Sequence, residues 1–373
     1  MHRRVFLASV LPLALAARRL GEPFPDPTAP RVSGELSLSM WIYMWDIVDE
    51  GYDTVSGRLK DHGLTSLSVA TSYHAGKFLL PHNPRRKVIF PEDGTVYFTP
   101  SPQRYGRIAP IVNPLVHKGH DFARVRREAA RSGLETRAWV VCCHNTPLGT
   151  LHPDATVRTV FGDPLRHTLC PSNPDVRKYL RALVRDIAAQ GPTTIELTGA
   201  MRFLVGLCFC PHCTSRGAQH GVDVKALSEY ARRTLETFFA SPDAAKGLPV
   251  RVDDFPSELF GPLHAWRSEV ITTLARELVA STRPYACSLR PMVSISPETR
   301  RTSGMDPAAI ARVTGGLLSP AYVQDREALR EPLAALRRAT GDASLTVGLQ
   351  VGLPGSGGGR SSCHATAPRA SSS

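Results

Sequence analysis

Residues 193–213, TTIELTGAMRFLVGLCFCPHC, constrain the fold of this 373-residue chain more than any other stretch. Residues 193–197 are short and β-branched and follow Gly191-Pro192, the pattern of a parallel strand buried on both faces. That strand carries Glu196 at or near its carboxyl end. Cys208, Cys210 and Cys213 follow in a C-x-C-x-x-C arrangement, which lets one tight turn aim three sulfurs at a single point. A tetrahedral zinc site closed by thiolates wants a fourth ligand, and Cys142, Cys143, Cys170 and His212 are available. Cys170 is the best placed, because it lies just before the helical run 175–190 that leads into the strand. The competing reading is a set of buried, reduced thiols packed as small hydrophobes.

The segment RHTLCPSNPDVRKYL at 166–180, then a strand with a Glu, then CFCPHC at 208–213, resembles the glycoside hydrolase family 42 β-galactosidases. The resemblance covers residues 166–213 and the βα rhythm around them. It implies a (β/α)8 TIM barrel, a structural zinc held by Cys170, Cys208, Cys210 and Cys213, and a carbohydrate ligand. It also implies Glu196 as general acid/base at the end of the fourth strand. One departure bears on that role: Ile195 precedes Glu196, where the family has Asn.

Length and a hydrophobic content of 42% suit one barrel-sized domain with tails better than two equal domains. The net charge of +12 comes from 45 basic against 33 acidic residues. Arginine dominates the basic set, which points to GC-rich coding as much as to an anionic partner. No basic block is interleaved with aromatics, so nucleic acid is not an expected partner. Arg3-Arg4-Val5-Phe6-Leu7 is similar to the twin-arginine export signal, followed by an apolar run and the cleavage-like Ala14-Leu15-Ala16. The run is too short to span a bilayer permanently. These features predict export to the periplasm or beyond, with a cytoplasmic protein as the alternative. The cysteines cluster rather than spread, which favours metal or free thiols over disulfides.

The chain in order predicts a leader and Pro-rich linker over 1–34, a barrel over 35–353 and a disordered low-complexity tail over 354–373. The first strand, 35–46, ends in aromatics, and Trp45 is a candidate to stack on a sugar. The second strand, 64–72, runs into Tyr73, His74 and Lys77, candidate ligand contacts because residues just after a strand line the active face of a barrel. A long excursion over 81–114 contains Glu92-Asp93-Gly94, a turn expected to join strands 87–90 and 95–98 as a hairpin. The third strand, 135–143, ends in His144 and Asn145, suited to hydrogen-bonding substrate hydroxyls. Further strands are expected at 285–296, 316–322 and 344–351, with helices between them.

The tail from residue 354 is poor in apolar residues and reads as unable to supply an eighth strand and helix, so the barrel is expected to lack its last βα unit. The composition changes abruptly at Pro354, as a shifted reading frame would change it. Gln350, where the seventh strand ends, cannot attack a glycosidic carbon, so a second carboxylate is not assigned; Asp46, Asp253, Asp254 and Asp325 are the acids near strand ends. The chain therefore reads as a glycoside-hydrolase-like barrel acting on or binding a carbohydrate, with Glu196 as candidate acid/base. One alternative is a non-catalytic carbohydrate-binding barrel. The other is a metal-dependent hydrolase using His74 and His144.

Overall fold

The computed structural model describes residues 37–81, 83–198, 203, 207–241, 256–322, 326–351 and 361–366. Eight strands follow one another along the path of its main sheet. They are β1 (Ser37–Ile42), β2 (Ser66–Tyr73), β3 (Glu135–Val141), β4 (Thr194–Thr198), β5 (Ser288–Pro291), β6 (Gly316–Ala321), β7 (Ser344–Val351) and β8 (Ser361–Thr366). The helices that connect them include α1 (Met44–Glu50), α2 (Tyr52–Asp61), α3 (Phe122–Arg131), α4 (Pro174–Ala188), α5 (Pro211–Gln219), α6 (Val224–Phe239), α7 (Ser257–Thr282), α8 (Pro307–Thr314) and α9 (Arg326–Thr340).

In space the order is β5-β4-β3-β2-β1-β8-β7-β6. Every neighbouring pair is parallel except the two made by β8, which runs antiparallel to both β1 and β7. The two ends of the path also touch. Met292, just past β5, forms a parallel bridge with Leu318 of β6, and the Val293 N–H donates to the Leu318 carbonyl at 2.8 Å.

Period-two alternation explains why these segments are strands. Leu67, Val69, Ala138, Val140, Ile195, Leu197 and Leu289 share one apolar core with Val55 and Leu59 of α2, Phe122 and Val125 of α3, and Leu180 and Leu183 of α4. The intervening residues include Ser68, Arg137 and Glu196, which meet on the opposite face with Trp139. The helices thus cover the aliphatic face, and the other face must satisfy its own polar groups.

Three expectations are corrected. The first strand stops at Ile42 instead of reaching residue 46: Tyr43 turns the chain, its N–H donates to the Asp46 carboxylate at 3.4 Å, and Trp45 falls on α1. The hairpin across Glu92-Asp93-Gly94 does not form. Val88–Ile89 pairs with Phe78–Leu79, and Thr95–Val96 pairs with the end of β2. Asp93 is drawn away to accept the Ala75 N–H at 2.8 Å, so the turn serves β2 instead of closing on itself. Finally, residues 361–366, within the stretch expected as a disordered tail, form β8, inserted between β1 and β7. The leader and linker, Asp253, Asp254 and Asp325 lie outside the described residues.

Candidate functional site

The four sulfurs of Cys170, Cys208, Cys210 and Cys213 lie within 4.8 Å of one another. From Cys170 the distances are 3.5 Å to Cys213, 3.7 Å to Cys210 and 3.9 Å to Cys208. Those match the edge of a tetrahedron around an ion with metal–sulfur bonds of about 2.3 Å, and far exceed a disulfide bond of about 2.05 Å. Among the described residues this is the one group of three or more His, Cys, Asp or Glu side chains so disposed. Cys142 and Cys143 are not in it; they are fully buried beside the core, and burial pushes the Cys142 thiol up to about 12.

Three pieces of backbone build the cluster. Cys170 ends a hairpin of Thr156–Arg158 with Pro164–Leu169, where its N–H donates to the Ala155 carbonyl at 2.9 Å. The Cys170 carbonyl accepts from Asn173, and Asn173 caps α4 by accepting from the N–H groups of Asp175 and Val176. Arg177 braces the same loop, donating to the Pro171 carbonyl and pairing with Glu277 at 2.7 Å. On the other side Cys210 caps α5, and its carbonyl accepts from Cys213 and Thr214. The Phe209 N–H donates to the Arg158 carbonyl at 2.9 Å, which ties this loop to the hairpin. Contact with Cys170 holds the Cys208 and Cys210 thiols below their ordinary range, while contact with Cys208 pushes the Cys170 thiol up. An ion taking all four ligands would need each of them as thiolate.

The carboxyl ends of the parallel strands carry a second assembly, made of rings. His74, directly after β2, stacks on Tyr73 at 4.4 Å between centroids and on His144 at 4.5 Å. His144, just after β3, meets His167 edge-on at 5.9 Å. Burial, then His74 and His167, lowers the pKa of His144 and favours the neutral imidazole. Across the sheet, Trp41 of β1 lies between Trp139 of β3 at 5.9 Å and Tyr322, just past β6, at 6.2 Å. Tyr322 is 44% exposed and Trp139 half-buried.

Of the contacts expected from sequence, His74, Lys77 and His144 reach the surface. Trp45 is buried and stacked on Tyr43 at 4.3 Å, and Tyr73 is buried with its hydroxyl accepting from Tyr43 at 2.8 Å. Asn145 is occupied as well: its amide donates to the Gly94 carbonyl and accepts from the Leu148 N–H. Trp139, His167 and Tyr322 were missed. The alternation in ETRAWVV, which puts Trp139 on the same face as Arg137, was the signal for the first of them.

Glu196 is level with Trp139 in the β3–β4 register, at the middle of β4 and 1% exposed. The Trp41 indole N–H and the Ser68 hydroxyl each donate to its Oε2 at 2.7 Å, and the Arg137 guanidinium lies 3.7 Å from Oε1. One carboxylate therefore links β1, β2, β3 and β4.

No protein-family model matches the chain, and no curated protein matches it. Among solved structures it is similar to the glycoside hydrolase domain of PgaB (BpsB) from Bordetella bronchiseptica, at 14% identity and TM-score 0.50 over 81% of each chain. It is also similar to a β-galactosidase from the psychrophilic Marinomonas ef1 at 11% identity and TM-score 0.47, where it covers 76% of its own length and 40% of that chain. A third is α-L-fucosidase isoenzyme 2 from Paenibacillus thiaminolyticus, at 11% identity and TM-score 0.39 over 74% of this chain and 38% of that one. The likeness to the PgaB domain is one of fold; the other two are more distant.

Proposed function

We propose that this chain is a glycoside-hydrolase-like (β/α) barrel that binds a carbohydrate at the carboxyl ends of its strands and is stapled by a structural zinc. The observation that carries the ligand is the row of partly exposed rings, Tyr322, Trp139, His74 and His144, at the face where such barrels place their sites. Aromatic faces bury the apolar C–H surface of a sugar while its hydroxyls stay available for hydrogen bonds. The fold shared with the PgaB glycoside hydrolase domain supports the same ligand class. The Met292–Leu318 bridge is the seam at which the sheet would close.

Glu196 serves this reading as a structural carboxylate. A general acid must come within hydrogen-bond reach of the glycosidic oxygen. Glu196 is 1% exposed and already accepts from Trp41 and Ser68, so binding without hydrolysis is the reading its surroundings support. On oligosaccharide titration, Trp139→Ala is expected to weaken binding, with no release of chromophore from aryl glycosides by the parent chain. Hydrolysis that disappears in Glu196→Gln would restore the acid/base role and overturn the non-catalytic one.

The four thiolates would hold the zinc, and its chemistry there is structural: four protein ligands leave no open position for substrate. Stoichiometric zinc should survive His74→Ala with His144→Ala and be lost in Cys210→Ala. The reverse pattern would favour the metal-dependent hydrolase. No described helix is long and apolar enough to cross a membrane. Export by the twin-arginine-like segment is part of the proposal, checked by locating a tagged full-length chain in cell fractions.

A further inference from the structure

A cleft of about 330 Å³ lies among the helices, lined by residues of α4, α5 and α7. From α4 come Pro174, Arg177 and Arg181, from α5 comes Arg216, and from α7 come Trp266 and Glu277. None of the rings at the carboxyl ends of the strands lines it, so it is separate from the carbohydrate face. Its size falls within the range of small-molecule sites, about 300–1,000 Å³.

Part of the lining is already paired. Arg177 donates to the Glu277 carboxylate at 2.7 Å and to the carbonyls of Pro171 and Val270. Glu269 lies 3.5 Å from the His220 ring. Other groups in the lining have no such partner. Arg216 makes no hydrogen bond or ion pair with a described residue, and Arg181 only approaches Glu277, at 4.0 Å. The Trp266 indole N–H likewise has no hydrogen-bond partner among the described residues, although Trp266 is 4% exposed. An indole buried so deeply ordinarily finds a partner for its N–H.

Charge narrows the ligand. Three guanidiniums and two carboxylates in the lining leave one positive charge to neutralise. A guanidinium grips a carboxylate through two parallel N–H···O bonds. A group of single charge fits this balance better than a phosphate monoester, which carries about 1.5 to 2 negative charges at neutral pH. Pro174, Val270 and Trp266 offer apolar surface to the rest of the molecule. We propose that this cleft binds a small organic monocarboxylate, with its head group on Arg181 and Arg216 and its apolar body against Pro174, Val270 and Trp266.

The test is calorimetric titration of the full-length protein with three probes that share one ring and differ in head group: benzoate, benzamide and phenyl phosphate. Benzoate should saturate a single site. Benzamide, which lacks the charge, should bind about 10-fold more weakly or worse, the factor expected when a charged hydrogen bond is lost. Arg216→Gln should weaken benzoate binding by a similar factor. Thr273→Phe, which puts a ring into the cleft and leaves every charge in place, should abolish it.

Arg216 is exposed, so its replacement reads the charge in a folded protein and decides alone should Thr273→Phe fail to fold. No saturable binding of benzoate overturns the proposal. So does benzamide bound as tightly as benzoate, or undiminished benzoate binding by Arg216→Gln or by a folded Thr273→Phe. Phenyl phosphate bound more tightly than benzoate overturns the monocarboxylate assignment.

Discussion

Glu196 has Ile195 and Leu197 beside it in sequence and Trp41, Ser68 and Arg137 beside it in space. Its environment is set by strand pairing, and every one of these partners comes from a different strand. Removing one partner of a buried ion pair leaves the other uncompensated, at a cost of about 3–5 kcal/mol. Glu196→Ala should therefore lower the unfolding free energy by about that much in urea titration, and Glu196→Gln by less, since an amide still accepts from Trp41 and Ser68. His264 supplies a pH-dependent counterpart. Burial, then the Arg267 and Arg301 cations, lowers its pKa from 6.5 to about 4. Its folded pKa is below its unfolded value, so between those limits the unfolded chain binds the extra proton and stability rises with pH. The contribution is complete above 6.5 and is lost as pH falls toward 4. With chelator present to remove metal effects, His264→Gln should flatten the melting temperature across that window. A profile identical to the parent's would show that His264 does not couple to folding.

At the scale of elements, the thiol site depends on backbone that carries no sulfur. Asn173 accepts from two N–H groups of α4 and donates its own N–H to the carbonyl of Cys170, so one residue starts the helix and sets the ligand loop. Loss of such a cap costs about 1 kcal/mol. Asn173→Ala should destabilise the protein by that order in thermal unfolding, with a larger relative loss of zinc than a solvent-facing cap such as Asp223→Ala. Gly149 is a stricter case. A Cβ there would collide with the carbonyl of Arg166 on the strand that leads to Cys170. Gly149→Ala must displace either the helix Thr146–Leu151 or that strand, and a lower melting point together with weaker zinc retention is the expected result. The sequence predicts the helical run 175–190, close to the observed Pro174–Ala188, but not the short helix Thr146–Leu151, whose opening residues read as substrate contacts. It did not announce the hairpin 156–169, because Thr156–Arg158 and Pro164–Leu169 are short and become strands only by pairing with each other.

For the whole molecule, the least expected strand is β8. It stands between β1 and β7 and pairs with both in antiparallel register, although its sequence, SSCHAT, has little that marks a strand. Two strands with unsatisfied N–H and C=O rows form a stronger template than the inserted segment's own propensity. A chain ending at residue 351 should expose those rows, so it is expected to melt at a lower temperature and to self-associate on size-exclusion chromatography with light scattering. A monomer as stable as the parent would show that β8 contributes nothing to the sheet.

The local information in the chain determined the alternation of helix and strand, the positions of β2, β4, β6 and β7 to within a residue or two, and the four cysteines that converge. The strands depend on side-chain type within one element, and the thiol set on spacing within the 208–213 loop with Cys170 joining from a second loop. Tertiary structure alone decided that Glu196 is a core counter-ion, that Trp45, Tyr73 and Asn145 are occupied, and that residues 361–366 complete the path. A carboxylate, an indole or a short polar segment has several acceptable environments, and only the neighbours brought from distant strands select among them.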